Sequence, residues 1–402
     1  MRAALAAALP DTAVRKALDG TDFGKGKVVL VAVGKAAWQM AKAAVEQLGS
    51  RISNGVVITK YGHSQGELAN LKIFEAGHPV PDENSFRATE EAIAAVSGLG
   101  LDDTVLFLIS GGGSALFEKP LISKEALDSL TKQLLACGAD IVEMNTVRKR
   151  FSAVKGGRFA KLCEPAKVRA IVLSDIIGDP LDMIASGPAY PDSSTCEQAK
   201  AVIAKYGIVI DDEMAALLEQ ETPKYLYNVT TDITGSVRQL CSVAAGQALA
   251  MGYEPFVLTA NLSCEARDAG TFLANIAQFH VNDGKDLAFI AGGETVVHLT
   301  GKGKGGRNQE LALSAAAGID GMENVAVFSL GSDGTDGTTD AAGGWVDGTT
   351  AARLREQGVQ IYDVLKDNDA YNALKKVDGL IITGPTGTNV NDVSVLLIRG
   401  KK

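Results

Sequence analysis

Histidine and cysteine are scarce in this chain, four and five among 402 residues. The histidines, His63, His78, His280 and His298, form no H-x-x-x-H or H-x-x-E-H pair, which excludes the commonest helical zinc sites. His280 and His298 read as structural, and His78, in GHPVPD, as a pocket residue. The cysteines, Cys137, Cys163, Cys196, Cys241 and Cys264, lie far apart with no C-x-x-C pair. Neither a zinc knuckle nor a disulfide framework fits that spacing, so buried free thiols are expected. Aromatic residues make up only 5%, and no basic cluster extends beyond Arg148 to Arg150. With 39 Lys and Arg against 48 Asp and Glu, a net charge of -9, no nucleic-acid partner is expected, because phosphate binding needs a basic face. No run of ~18 apolar residues occurs, so no membrane span is expected. The alanine-rich start (MRAALAAALP) imitates a signal peptide weakly but passes into a helical pattern at Ala13 to Leu18, which predicts a first helix and a cytoplasmic protein.

What is present is apolar and rich in glycine: 46% apolar residues and 44 glycines. A chain this long exceeds the ~250 to 300 residues at which single cores stop growing, so two domains are expected. Short Val/Ile/Leu runs, such as Val28 to Val33, Val105 to Ile109, Val168 to Leu173, Leu287 to Ala291, Val325 to Leu330 and Leu380 to Thr383, alternate with helical patterns. That alternation predicts an α/β fold built from βα units around sheets buried on both faces. Periodicity lapses over Thr222 to Thr234, so the expected domains are residues 1–230 and 231–402.

Glycine and polar residues recur where the apolar runs end, which is where ligands bind in open α/β sheets. The run Gly301 to Glu310, GKGKGGRNQE, places four glycines and three cations before a helical pattern. Its backbone N–H groups and the first turn of the helix can hold an anion; a surface hairpin with solvated lysines also fits. The loop Ser110, Gly111, Gly112, Gly113, Ser114 can present consecutive N–H groups to a phosphate, or serve as a tight strand-to-helix turn. It is neither G-x-x-x-x-G-K-[ST] nor G-x-G-x-x-G. Lys35 follows a strand directly and can reach the same anion. Asp333, Asp336 and Asp340 in SDGTDGTTD, and the pair Asp175 and Asp179, suit Mg²⁺ or Ca²⁺, and Asp-Gly turns explain them equally well. Together such loops are expected to form a polar rim.

These residues resemble the class II glycerate kinases, whose carboxyl-terminal part is called the MOFRL domain and whose members are sometimes labelled hydroxypyruvate reductase. The resemblance rests on VGKAAWQMA at 33–41, GHPVPD at 77–82, LISGGGSAL at 108–116, MNTVRKRFSAVKGGRFA at 144–160, LSDIIGDPLDMIASGP at 173–188, GGETVVHLTGKGKGGRNQELAL at 292–313, SDGTDGTTDAAG at 332–343 and GPTGTNVNDV at 384–393. It implies ATP-dependent phosphorylation of D-glycerate, typically at the 2-hydroxyl, with Mg²⁺, in a cleft between two α/β domains of which the first is Rossmann-like. The family's active-site lysine falls on Lys35 and its active-site arginine on Arg307. Arg150 stands where relatives often carry His, and Ala189 where Thr is common. Expected substrate or nucleotide contacts are Ser110, Gly111, Gly112, Gly113, Ser114, Lys149, Gly305, Gly306, Asn308, Glu310, Thr388 and Asn389, with Asp175, Asp179, Asp333 and Asp336 for the metal or a catalytic base. Alanine at Lys35 or Arg307 is expected to abolish most turnover with the fold intact. The alternative activity, an NAD(P)-dependent hydroxypyruvate reductase, lacks its dinucleotide fingerprint here.

Overall fold

The computed structural model describes residues 2–174, 176, 178 and 180–400; Asp175 and Asp179 lie outside the described residues. The chain divides into two compact units, one holding Pro10–Ser174 and the stretch on to Thr234, the other Gly235 onward with the amino-terminal residues through Leu9.

In the first unit, β1 (Val28–Val33), β2 (Ile52–Lys60), β3 (Leu71–Ala76), β4 (Thr104–Ile109), β5 (Lys167–Leu173) and β6 (Val229–Thr234) form one sheet in the order β3-β2-β1-β4-β5-β6. Every pairing is parallel. The central strands VVLVAV and TVLFLI are buried at every residue, which is why they read as continuous apolar runs. Each fully buried Val, Leu or Ile contributes roughly 1.5–3 kcal/mol, so these two strands anchor the unit. Capping boxes start the flanking helices Glu83–Val96, through Asp82 and Ser85, and Cys196–Tyr206, through Thr195 and Gln198. The strand order reverses between β1 and β4, the position at which open α/β sheets hold their ligands.

In the second unit, β7 (Glu254–Leu262), β8 (Leu287–Gly293), β9 (Val325–Gly331), β10 (Gly343–Asp347), β11 (Leu380–Ile381) and β12 (Asp392–Ile398) follow the order β11-β10-β9-β12-β8-β7. This sheet is mixed. β12 runs antiparallel to both β8 and β9. No helix lies in 382–391, so the chain re-enters the sheet at the edge it has just left. The carboxyl ends of β8, β9 and β11 and the start of β12 therefore share one edge.

Three features depart from the sequence reading. Thr222 to Thr234 is not all connection: it ends in β6, an edge strand whose VTTDIT carries too few apolar residues to show periodicity. Leu380 to Thr383 supplies only a two-residue strand. The thiols are all free, but Cys264 is exposed and Cys137 half-buried. Among the described residues no helix is long and apolar enough to cross a membrane.

Candidate functional site

In the first unit the site grows from the close approach of the ends of β1 and β4. Gly34 has φ 118°, and a Cβ there would lie 2.2 Å from Ser110 Oγ, so only glycine lets the two strand ends meet. Ser110 is buried, and its hydroxyl accepts from the Ala36 N–H at 3.1 Å, capping the helix Ala37–Leu48 from the neighbouring strand. Lys35 is held by its backbone: its N–H donates to Gly111 O at 2.8 Å, and its carbonyl lies 3.1 Å from His63 Nδ1. The exposed Lys35 ammonium has no carboxylate partner among the described residues. Gly112 brings His78 beside Lys35, since a Cβ at Gly112 would touch both side chains. Burial, then the charges of Lys35, Lys60 and His63, lower the His78 pKa, so the imidazole stays neutral beside the ammonium.

The backbone N–H groups of Gly111, Gly112, Gly113 and Ser114 find no protein acceptor among the described residues. An unpartnered ammonium beside four unengaged N–H groups is suited to an anion. The loop is fixed from behind. Lys155, fully buried, donates to Ser114 O and Phe117 O, both at 2.9 Å, and pairs with buried Glu118 at 3.0 Å. Ser186 Oγ donates to Asn145 Oδ1 at 2.8 Å and lies 3.0 Å from Ser114 Oγ. Ala185 and Ser186 are held at φ 52° and 61°, a left-handed conformation costing roughly 1–3 kcal/mol each that persists only where surroundings enforce it. Lys155→Met should cost about 3–5 kcal/mol in urea denaturation by stranding the Glu118 charge. Adding Glu118→Gln should restore part of that loss; no recovery in the double variant would refute the pairing.

Lys149 is buried and pairs with Asp192 at 3.0 Å and Asp182 at 3.7 Å. Arg150, completely buried, pairs with Glu221 at 2.9 Å and donates to Ser194 O at 2.7 Å. Arg150 thus belongs to a core network.

The second unit overturns part of the anion reading of GKGKGGRNQE. The Thr300 and Gly301 N–H groups donate to Asn368 Oδ1, and those of Lys302, Gly303 and Lys304 to Asp367 and Asp369. Gly301 and Gly303 are glycine because the 367–369 backbone packs against them. Lys302 is exposed, and Lys304 stacks over the Tyr371 ring at 4.3 Å. The first turn of the helix Arg307–Gly318 is not open either. Asp336 accepts from the Gln309 N–H at 2.9 Å and the Asn308 N–H at 3.2 Å. A Cβ at Gly306 would lie 2.3 Å from the Asp336 side chain, so glycine is required for this capping. Burial pushes the Asp336 carboxyl up to about 6 against the pull of those N–H groups.

Arg307 to Glu310 is an organising hub. The Arg307 fork holds both oxygens of Asp392, at 2.5 and 3.0 Å, and Glu294 at 3.0 Å. Burial opposes the charge on Arg307, but hydrogen-bonded Asp392, with Glu294 and Asp336 near, pushes its pKa up. Asn308 reaches Asp336 and accepts from Ser329 Oγ at 2.6 Å. Glu310 accepts from Asn368 Nδ2 at 2.6 Å. A pocket of about 740 Å³ opens here, its lining combining Val296, Val297 and Leu299 with Gly305, Gly306, Arg307 and Glu310. Thr388 is buried and donates to Ala8 O at 2.6 Å, pinning the amino terminus, whereas Asn389 is exposed. Asp333 closes a local turn by accepting from the Thr335 N–H at 3.0 Å. Among the described residues no three His, Cys, Asp or Glu side chains converge as a metal site.

The structure thus joins Lys35 with 110–114 in one unit and Arg307 with 305–310, Asp333 and Asp336 in the other. Sequence reading missed Asp392, Lys155, Ser186 and Asn368. Asp392 and Ser186 stood inside the phrases NVNDV and IASGP, but nothing local named their partners.

A family model described as a domain of unknown function (DUF4147) matches residues 1–219, and the MOFRL family model matches 287–392. D-glycerate 2-kinase of Thermotoga maritima is 54% identical over 99% of this chain and 96% of its own length. A crystal structure of glycerate kinase from Thermotoga maritima, 54% identical, covers 99% of this chain and 97% of that one with a TM-score of 0.94. A protein of Agrobacterium vitis provisionally named hydroxypyruvate reductase is 40% identical over 93% of this chain and 100% of its own length. The chain belongs to the glycerate kinase family to which the Thermotoga protein belongs, with DUF4147 and MOFRL parts in that order.

Proposed function

We propose that this chain transfers a phosphoryl group from ATP to D-glycerate at its 2-hydroxyl, giving 2-phosphoglycerate and ADP. The observation that carries this reading is the 54% identity to a D-glycerate 2-kinase along 99% of the chain. The site chemistry supports it. Phosphoryl transfer demands positioning and neutralisation of spread negative charge, which cations and fixed N–H dipoles supply. Lys35 and the 111–114 N–H groups receive an anionic group of substrate or nucleotide. Arg307 supplies the second cation, and the pocket lined by Val296, Leu299 and the glycine backbone at 305–306 offers apolar walls for the nucleotide.

Mg²⁺ normally binds through one or two carboxylates plus substrate phosphates, so the lack of a three-carboxylate cage among the described residues is compatible with it. Both Asp336 oxygens serve the helix, which leaves Asp333 as the described carboxylate that fits, with Asp175 and Asp179 as candidates for the ion or for accepting the hydroxyl proton. Bound there, the ion would neutralise phosphate charge. The protein is expected to act in the cytoplasm.

A coupled assay checks the reaction: ADP release is expected with glycerate and ATP, and no NADH oxidation with hydroxypyruvate. NADH oxidation without ADP release would overturn the kinase reading in favour of the reductase. Phosphorus NMR of the product is expected to show the 2-phosphate.

A further inference from the structure

Glu310 stands in the first turn of the helix Arg307–Gly318, and it is 1% exposed yet lines the pocket of about 740 Å³. Its two oxygens differ. Oε1 accepts from Asn368 Nδ2 at 2.6 Å, whereas Oε2 is buried and has no hydrogen-bond partner among the described residues. Buried polar atoms are nearly all satisfied, because an acceptor taken out of water without a donor is costly. An orphaned carboxylate oxygen beside an open pocket is therefore a place for a ligand's donor.

The arrangement is held from behind. Asn368 is buried at φ 56°, with Oδ1 accepting from the Thr300 and Gly301 N–H groups at 2.8 and 2.9 Å and Nδ2 also donating to His298 O at 3.1 Å. Its amide is fully engaged, so it fixes Oε1 and does not serve Oε2. No cation serves Oε2 either. Arg267, whose charge acts on Glu310, pairs with Glu265 at 2.7 Å, and Arg307 is taken up by Asp392 and Glu294. Burial accordingly raises the Glu310 pKa.

Charge decides which part of a ligand arrives there. An anionic group is repelled by a carboxylate, and Glu294 lines the same pocket. A metal ion would need more oxygen ligands, and among the described residues no three acidic, histidine or cysteine side chains converge. What remains is a neutral N–H or O–H donor. The rim favours a flat one: Val296 and Leu299 are 54% and 81% exposed, and Gly305 and Gly306 offer bare backbone. In a nucleoside triphosphate the ribose hydroxyls lie close to the phosphates, while the exocyclic group of the base lies at the uncharged far end. The edge of the base is thus the part that suits a carboxylate.

We propose that Glu310 accepts a hydrogen bond from the 6-amino group of adenine and so selects ATP over triphosphates that carry an oxygen at that position. The assignment rests on the reading of this pocket as the nucleotide site. Glu310→Gln tests it, because glutamine keeps an oxygen for Asn368 and turns an amide NH₂ toward the ligand, which matches the 6-oxo group of inosine. The unmodified chain is expected to favour ATP over ITP in kcat/KM by about 10- to 100-fold, the effect of one buried hydrogen bond left unmade. Glu310→Gln should lose or invert that preference while the KM for glycerate stays within a few-fold. Calorimetric titration with adenosine and with inosine needs no turnover, so it decides the role of Glu310 even where phosphoryl transfer fails. Adenosine should bind the unmodified chain more tightly, and inosine the variant. Equal use of ATP and ITP by the unmodified chain, a variant that weakens both nucleosides alike, or a change confined to ATP against 2′-deoxy-ATP would each overturn the proposal.

Discussion

Alanine in place of Lys35 is expected to lower kcat by about 10²- to 10³-fold, the loss typical of removing one preorganised charge stabiliser. Stability should stay within about 0.5 kcal/mol, as for surface substitutions that break no pairing. The reason is specific to the site: the Lys35 ammonium is exposed and has no carboxylate partner among the described residues, so the fold does not rely on it. Lys35→Arg keeps the charge on a larger, planar group and should recover only part of the rate. Steady-state kinetics with glycerate and ATP, beside a urea melt, decide the matter. Turnover within a few-fold of the parent would remove Lys35 from the reaction; a large loss of stability would show an unseen partner.

Arg307→Ala should differ in kind. Turnover is expected to fall by about 10³-fold or more, as when a phosphoryl-transfer arginine is lost. The expectation from sequence was that the fold would be untouched, but the structure revises it. Asp392 is buried and has both oxygens on the Arg307 fork, so truncation strands its charge. Buried pairs cost ~3–5 kcal/mol when one partner is removed; the Arg307 side chain is one-third exposed, at 34%, so about 2 kcal/mol is expected. Arg307→Ala with Asp392→Asn separates the two effects. Stability should return while turnover stays low. Recovery of turnover in the double variant would mean that Arg307 serves only to neutralise the buried Asp392.

The contrast between the two cations also reassigns the loops. GKGKGGRNQE carries the denser charge, yet its first amides are spent on Asn368, Asp367 and Asp369, and its helix turn on Asp336. SGGGS carries no charge, yet among the described residues the amides of Gly111 to Ser114 are open. The number of cations in a loop is therefore no guide to which loop keeps its amides unengaged.

Much was legible before any fold was drawn. The apolar runs, the helices that follow them and the polar loops at their ends are local properties, because side-chain period and chain-breaking residues act within a few positions. Of the strands left unread, β6 is polar, β10 glycine-rich, and β3 (LKIFEA) short and interrupted by two charges, so their identity comes from a neighbour's hydrogen bonds and not from their own pattern. The reversal of β12, the burial of Lys149 on Asp192, and the choice of Asp392, 85 residues distant, as the partner of Arg307 were decided only by tertiary structure. A sequence specifies which groups can bond; which of several equal carboxylates meets a given cation depends on how strands are ordered and how deeply each group is buried. By itself the sequence determined an α/β chain with anion-ready loops, and the tertiary structure determined which of those loops remained free to bind.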